Sequence, residues 1–334
     1  MEMQFLGYKR ADGKVGVRNH VLILPACACA SETCRIVVSQ VKGSVNVIIN
    51  VGCSDVAANT EMTQRILTGF ALNANVYGVV IIGLGCETVG HRELKAKLEK
   101  LTTKPIVSFG IQEEGGTVAT AEKAVRAARE MVAKASLEKR VPCNASDLFV
   151  AIECGGSDAT SGNAANPAVG EMSDRIVDMG GTTMISETVE FIGAEHVLAR
   201  RGATPEIHDQ IIRICEDYEK HLALAGQDCR AGQPTPGNKA GGLSTIVVFT
   251  TGRGTPTGHA LAPVLKVTGN AVTARRMADN MDIDVSGIVE GTLTIKDAGE
   301  KILDEVLEVA GGRVTKAESY GFSDIAVDHV CRFI

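Results

Sequence analysis

Short runs rich in valine and isoleucine recur along this 334-residue chain, and a helical pattern follows nearly every one. The runs are VLILPA (21–26), VNVIINVG (45–52), VYGVVIIGLG (76–85) and PIVSFG (105–110). Between and after them lie SETCRIVVSQVKG (31–43), TEMTQRILTGFAL (60–72), HRELKAKLEKL (91–101) and the strongly amphipathic 117–137, whose apolar residues return every three to four positions. Strands apolar throughout, joined by helices, predict a parallel sheet covered on both faces. The pattern then restarts with DLFVAIECGG (147–156), a helix from Asn166 ended by glycines, TTMISET (182–188), a long helix over 204–226, STIVVFTTGRG (244–254) and a late helix over 294–312. Ser31 and Thr204 are candidate N-caps, with Pro205 at the first helical position. The expected fold is α/β: two doubly wound domains with mainly parallel sheets, 1–142 and 143–334, divided in the polar stretch EKRVPCNAS.

Several function classes are excluded early. The net charge is −6, tryptophan is absent and no basic block occurs, which argues against nucleic-acid binding. No run of 18 apolar residues suggests a membrane span, and the polar, charged N-terminus does not read as a signal peptide. The expected location is the cytoplasm, where ten cysteines are reduced, metal-bound or buried rather than paired.

Three of those cysteines share one grammar. Cys53, Cys86 and Cys154 each stand just past an apolar run with glycine beside them. The carboxyl ends of parallel strands form the ligand crevice of such sheets. The three thiols are therefore candidate metal ligands, with iron, an iron–sulfur cluster or zinc as the species soft donors favour. Cys27, Cys29 and Cys34 could join that rim, whereas Cys215 and Cys331 read as filler.

Other chemistry is spread along the chain. Arg18 can grip a carboxylate, Asn19 can hydrogen-bond a substrate, and His20 is a candidate base or ligand. In ECGGSDATSGNAANP, Ser157, Asp158 and Asn166 suit a polyhydroxylated ligand. The loop TTGRGTPTGH offers Thr250, Thr251 and Arg253 for an anion, and His259 as a base or ligand. Glu87 and Glu187 are candidate general acids or bases.

Taken together, GYKRADGKVGVRNH, VGCSD through GLGCE, IECGGSDATSGNAANPAVG, SETVEFIGAEHVLARRG, PTPGNKAGGLSTI and TTGRGTPTG resemble the UxaA family over nearly the whole chain. That family holds altronate and galactarate dehydratases and the sulfolactate sulfo-lyase large subunit. The resemblance implies an iron-dependent sugar-acid dehydratase, with sulfolactate cleavage or non-catalytic sugar-acid binding as alternatives. The dehydratases of that family usually carry a small N-terminal SAF-type domain, and this sequence starts directly at GYKRADG, so the resemblance implies either a SAF module on a separate small subunit or a truncated chain; a homodimer is also expected. Family members carry several dozen residues, including a polar loop, where Ile246 here runs into Val247. A segment omitted between those two residues is expected.

Overall fold

A computed structural model describes residues 3–53, 55–186, 188, 192–224, 226, 228 and 246–324. In chain order the first half comprises β1 (Gln4–Lys9), β2 (Val15–Gly16), β3 (His20–Pro25), α1 (Ser31–Gln40), β4 (Ser44–Asn46), α2 (Ala57–Leu72), β5 (Val76–Gly83), α3 (His91–Glu99), β6 (Ile106–Gly110), α4 (Thr117–Ala135) and β7 (Val141–Asn144). The second comprises β8 (Phe149–Cys154), α5 (Asn166–Asp178), β9 (Thr182–Ile185), α6 (Glu195–Ala199), α7 (Pro205–Leu224), β10 (Ile246–Thr250), β11 (Val264–Thr268), α8 (Ala271–Arg276), β12 (Ile283–Asp284), α9 (Ile295–Ala310) and α10 (Lys316–Tyr320).

Two parallel sheets result, ordered β4-β3-β5-β6 and β12-β11-β10-β8-β9. The fold is α/β with two domains, as the alternation predicts. Val21–Leu24 of β3 and Val79–Ile82 of β5 are wholly buried, because helices cover both faces of the sheet. Helix α4 buries Thr120, Ala124, Ala128, Met131 and Ala135, one stripe at helical spacing.

Several expectations need correction. The run 45–52 forms a strand only over Ser44–Asn46; beyond it Val51 accepts a bond from the Ala28 amide at 2.8 Å as the chain crosses the end of β3. Ser31 does not cap α1: its hydroxyl donates to the Ile49 carbonyl at 3.1 Å, and a 3-10 turn leads into the helix instead. Thr204 does cap α7, accepting the Ile207 amide at 3.3 Å. In the sequence as given, Ile246 runs directly into Val247. They are consecutive in β10, facing Val150 and Ala151.

The antiparallel sheet β2-β1-β7 was not foreseen, and it places the stretch around residue 142 inside a strand. It helps join the halves. Arg140 of the same stretch donates to the carbonyls of Leu6, Val17 and Ala310 at 2.7–2.9 Å. Leu261, on the connection from β10 to β11, is fully buried in the core of the first domain, and its carbonyl accepts from buried Asn75 at 2.8 Å. Among the described residues no helix is long and apolar enough to cross a membrane.

Candidate active site

The carboxyl ends of β8 and β10 lie side by side, with Thr250 opposite Cys154 in register. Seven of the residues singled out in the sequence gather there: Cys154, Ser157, Asp158, Asn166, Thr250, Thr251 and Arg253. The Cys154 thiol lies 3.0 Å from the Ser157 hydroxyl and accepts from the Asn166 amide at 3.7 Å. Thr250 donates to Asn166 Oδ1 at 2.7 Å, tying the two strand ends together. Buried Thr251 accepts the Gly254 amide at 2.9 Å and shapes the loop that carries Arg253. The Arg253 amide bonds the Gly156 carbonyl at 2.7 Å while its side chain is exposed.

Asp158 is the hinge pin of this crevice. Its Oδ1 accepts from the Thr160 amide and hydroxyl and the Ser161 amide, capping the helical turns that lead into α5. Its Oδ2 accepts from Asn270 at 2.9 Å. Partial burial pushes the carboxyl pKa up, but the bonds from Thr160, Asn270 and Ser161 outweigh it and hold the pKa below the usual range. The carboxylate is therefore ionised and held in place by four hydrogen bonds. A π-helical stretch, Ser161–Ala165, follows before α5, a feature frequent at functional sites. The exposed groups at these strand ends are Ser157, Asn166 and Arg253, a set suited to hydroxyls and a carboxylate.

The remaining candidates sit elsewhere. Arg18 does not await a substrate. Its five N–H groups bond Glu318 twice and the carbonyls of Val17, Val309 and Arg313, all at 2.7–2.9 Å, so no donor remains. Asn19 donates to the Ala135 carbonyl at 2.9 Å. Glu87 accepts the amides of Leu84, Gly85 and His91 and so caps α3. Burial raises its pKa, but those backbone bonds win and keep it ionised. His259 accepts the Leu261 and Ala262 amides at Nδ1, at 3.1 and 3.2 Å, which leaves the ring hydrogen on Nε2 when the ring is neutral. Glu187 lies outside the described residues.

His20 and His259 share an interdomain cavity of about 490 Å³. Burial first, and Arg18 second, push the His20 imidazole down to about 4. In the unfolded chain it titrates near about 6.5. Between those values the unfolded chain holds a proton that the folded one refuses, so stability falls as pH drops from 6.5 toward 4, by roughly 2–3 kcal/mol. His20→Gln should flatten the urea midpoint against pH across that window, and an unchanged slope would refute this assignment.

The thiols do not converge. Cys86 receives a weak bond from Gln112 at 3.9 Å, Cys53 is exposed, and both belong to the first domain, whereas Cys154 belongs to the second. Among the described residues no three His, Cys, Asp or Glu side chains form a metal donor set. The residues present therefore do not fit a three-thiol iron centre, because each sheet builds its own strand-end crevice.

Sequence reasoning passed over Asn270, whose side chain holds Asp158 and caps α8 through the Val272 and Thr273 amides. It also passed over Glu153 and Lys266, lone charges in apolar strands. Both are buried and both face Phe249 in register, with the Lys266 ammonium 3.5 Å from the Phe249 ring centre. A charge inside an otherwise apolar strand was the available signal.

Both domains match known families in order. Residues 7–136 match "D-galactarate dehydratase/Altronate hydrolase, second domain", and 145–248 with 244–332 match "D-galactarate/Altronate dehydratase, C-terminal". The chain belongs to the galactarate/altronate dehydratase family. Within that family it is 31% identical to (2R)-sulfolactate sulfo-lyase subunit beta of Chromohalobacter salexigens, over 97% of this chain and 96% of that protein. It is 31% identical to galactarate dehydratase (L-threo-forming) of Escherichia coli, over 92% of this chain and 73% of that protein. Altronate dehydratase of Bacillus subtilis is 27% identical, over 97% and 77%. The C-terminal match breaks in two at residues 244–248, and the alignment with the sulfo-lyase runs over 384 positions against 334 residues here. The alignment therefore contains positions that have no counterpart in this sequence.

Proposed function

We propose that this family member is a hydro-lyase that removes water from an altronate-like aldonate or an aldarate, giving a 2-keto-3-deoxy acid. The observation that carries the reading is the gathering of Ser157, Asn166, Arg253 and the capped helix start behind Asp158 at one strand-end crevice, inside a chain whose two domains both match the dehydratase family. In this reaction the C2–H bond breaks and its proton leaves to a base. The C3–O bond breaks, the departing hydroxide takes up one proton and leaves as water, and the resulting enol becomes the ketone. Arg253 binds and orients the substrate carboxylate at the rim. Ser157 and Asn166 hold hydroxyls, and the Thr250–Asn166 bond keeps the amide turned toward the crevice. Asp158, spent on four hydrogen bonds, keeps this geometry in place and takes no proton.

A second reading has its own support. The sulfo-lyase beta subunit is matched nearly end to end, whereas the dehydratases extend well beyond the matched region. The same α-proton chemistry with sulfite as leaving group would then act on sulfolactate. That relative's description as a subunit favours a separate partner for this chain too, and we include a small SAF-type partner and a homodimer in the reading. The test is a panel of hexonates, hexarates and sulfolactate with anaerobically prepared protein, alone and with such a partner. Keto-deoxy acid from one sugar acid confirms the dehydratase. Sulfite from sulfolactate replaces it with the lyase. Binding without turnover of any of them would make the chain a sugar-acid binding protein.

A further inference from the structure

At the amino end of β6, in the first domain, lies a cavity of about 500 Å³ that the proposed chemistry does not use. The turn after β1, Tyr77 of β5, the connection from α3 to β6 and Glu138 beyond α4 enclose it. Its acidic side chains are already engaged. Glu138 pairs with Arg10 at 3.1 Å, Glu99 with Lys95 at 2.6 Å, and Asp12 with Lys14 at 3.6 Å. Arg10 also donates to the carbonyls of Ala74 and Arg18. Lys9 and Lys100 line the same cavity, are exposed, and form no ion pair among the described residues. An entering anion therefore meets positive charge at the rim.

Half-buried Lys104 lines the cavity too, and its amine is held in place. Nζ donates to the Ala71 carbonyl at 3.1 Å and to the Asn73 carbonyl at 2.6 Å, at the end of α2. Those acceptors are themselves fixed. Asn73 Oδ1 accepts the Asn75 amide at 2.9 Å, and the Asn75 side chain binds the Val17 amide and the Leu261 carbonyl, both at 2.8 Å. Burial first, and Arg10 second, push the Lys104 ammonium from 10.5 down to about 7; Asp12 opposes the shift and Lys14 adds to it. A neutral lysine amine has two N–H groups and one lone pair. The two carbonyls satisfy both N–H groups, so the lone pair is what remains for a partner. A desolvated lysine beside other cations is a nucleophile near neutral pH.

We propose that Lys104 is an acylation site, modified by small acyl phosphates that the cationic rim of this cavity draws in. The Nζ lone pair attacks the acyl carbon and an N–C bond forms. The bond from that carbon to the phosphate oxygen breaks, and inorganic phosphate leaves with the proton that Nζ gives up. The product is an uncharged amide, and no oxidant or further reactant is needed. Lys9 and Lys100 attract the phosphate, whereas the attacking nitrogen is that of Lys104. The amide keeps one N–H, so only one of the two carbonyl bonds at the end of α2 can survive the reaction.

The test treats the full chain with acetyl phosphate at low ionic strength near pH 7 and follows each acetylated lysine by peptide mass spectrometry. Lys104 should react at least about tenfold faster than Lys100, although Lys100 is the more exposed, because an ordinary lysine is almost wholly protonated at that pH. The Lys104 rate should gain little above about pH 8, where its amine is already neutral. Lys9→Met with Lys100→Met should slow acetyl phosphate at Lys104 by about threefold or more, yet leave the rate with uncharged N-acetoxysuccinimide unchanged. The proposal is overturned if Lys104 reacts no faster than Lys100, if its rate keeps climbing to about pH 10 as for an ordinary lysine, or if the double variant slows both reagents alike or neither. This readout does not depend on turnover, so failure of the substrate panel and failure of the acylation site remain separate results.

Discussion

Arg18→Met should cost about 3–5 kcal/mol of stability, measured by urea unfolding at pH 7, because it strands a carboxylate that the fold has removed from water. The Arg18 and Glu318 side chains are only 9% and 19% exposed, and they are joined by two bonds of 2.7 and 2.8 Å. The methionine stem would replace the aliphatic contacts but none of the five hydrogen bonds. Three of those bonds end on carbonyls, Val17, Val309 and Arg313, which would also lose their donor. Because residue 18 precedes β3 and Glu318 lies in α10, the damage falls on the joint between the domains. Burial raises the Glu318 pKa, but Arg18 outweighs it and holds the carboxyl below its ordinary value. The pair's stabilisation is therefore complete above the unfolded carboxyl pKa, about 4.3, and is lost as pH falls below that through the folded value. The variant's deficit should shrink in the same acid range. A loss below about 1 kcal/mol at pH 7 would show that the joint does not depend on this pair.

Gly252→Ala should lower turnover by about a hundredfold while leaving most secondary structure intact, because it strikes the anchor of the crevice. A Cβ at position 252 would stand 2.1 Å from Asp158 Oδ1 and 2.2 Å from its carboxyl carbon. The carboxylate cannot swing aside without giving up Thr160, Ser161 and Asn270 together. The β10 loop and the start of the α5 helix would be forced apart, displacing Arg253 on one side and Ser157 on the other. Overpacking of this kind costs about 1–3 kcal/mol, so the protein should still fold. Turnover within about twofold of the unsubstituted enzyme would remove the crevice from the mechanism. Adding Asp158→Ala should relieve the clash but restore neither the lost capping bonds nor turnover, since the anchor is then gone.

The helices and most sheet strands were legible because each carries its own period. The 117–137 stripe became Thr117–Ala135, and VVII within β5 was readable as a strand buried on both faces. The β2-β1-β7 sheet was not legible, since its strands are short and the β1–β7 pairing joins residues over a hundred positions apart. Strand β11 escaped notice because Lys266 interrupts an apolar run of only a few residues. The crevice was half readable. CGGSD and TTGRG announced two Gly-rich turns, but only the register of β8 with β10 brought Thr250 level with Cys154.

The chain order of apolar runs and helical stripes determined an α/β protein with two parallel sheets, and its motifs determined the family, because both are local properties of composition and spacing. What each polar side chain does was decided by tertiary structure. Arg18 reads as an anion binder until Glu318, 300 positions away, takes two of its donors. Glu87 reads as a base until three nearby backbone amides close around it. His91 reads as an ordinary helical residue until Gly83 and Gly110 pair and open a notch for its ring. Three cysteines share one local grammar, yet two sheets carry them to separate crevices. Hydrogen-bonding capacity and charge are written residue by residue, but whether they are spent or left for a ligand depends on neighbours that only folding supplies.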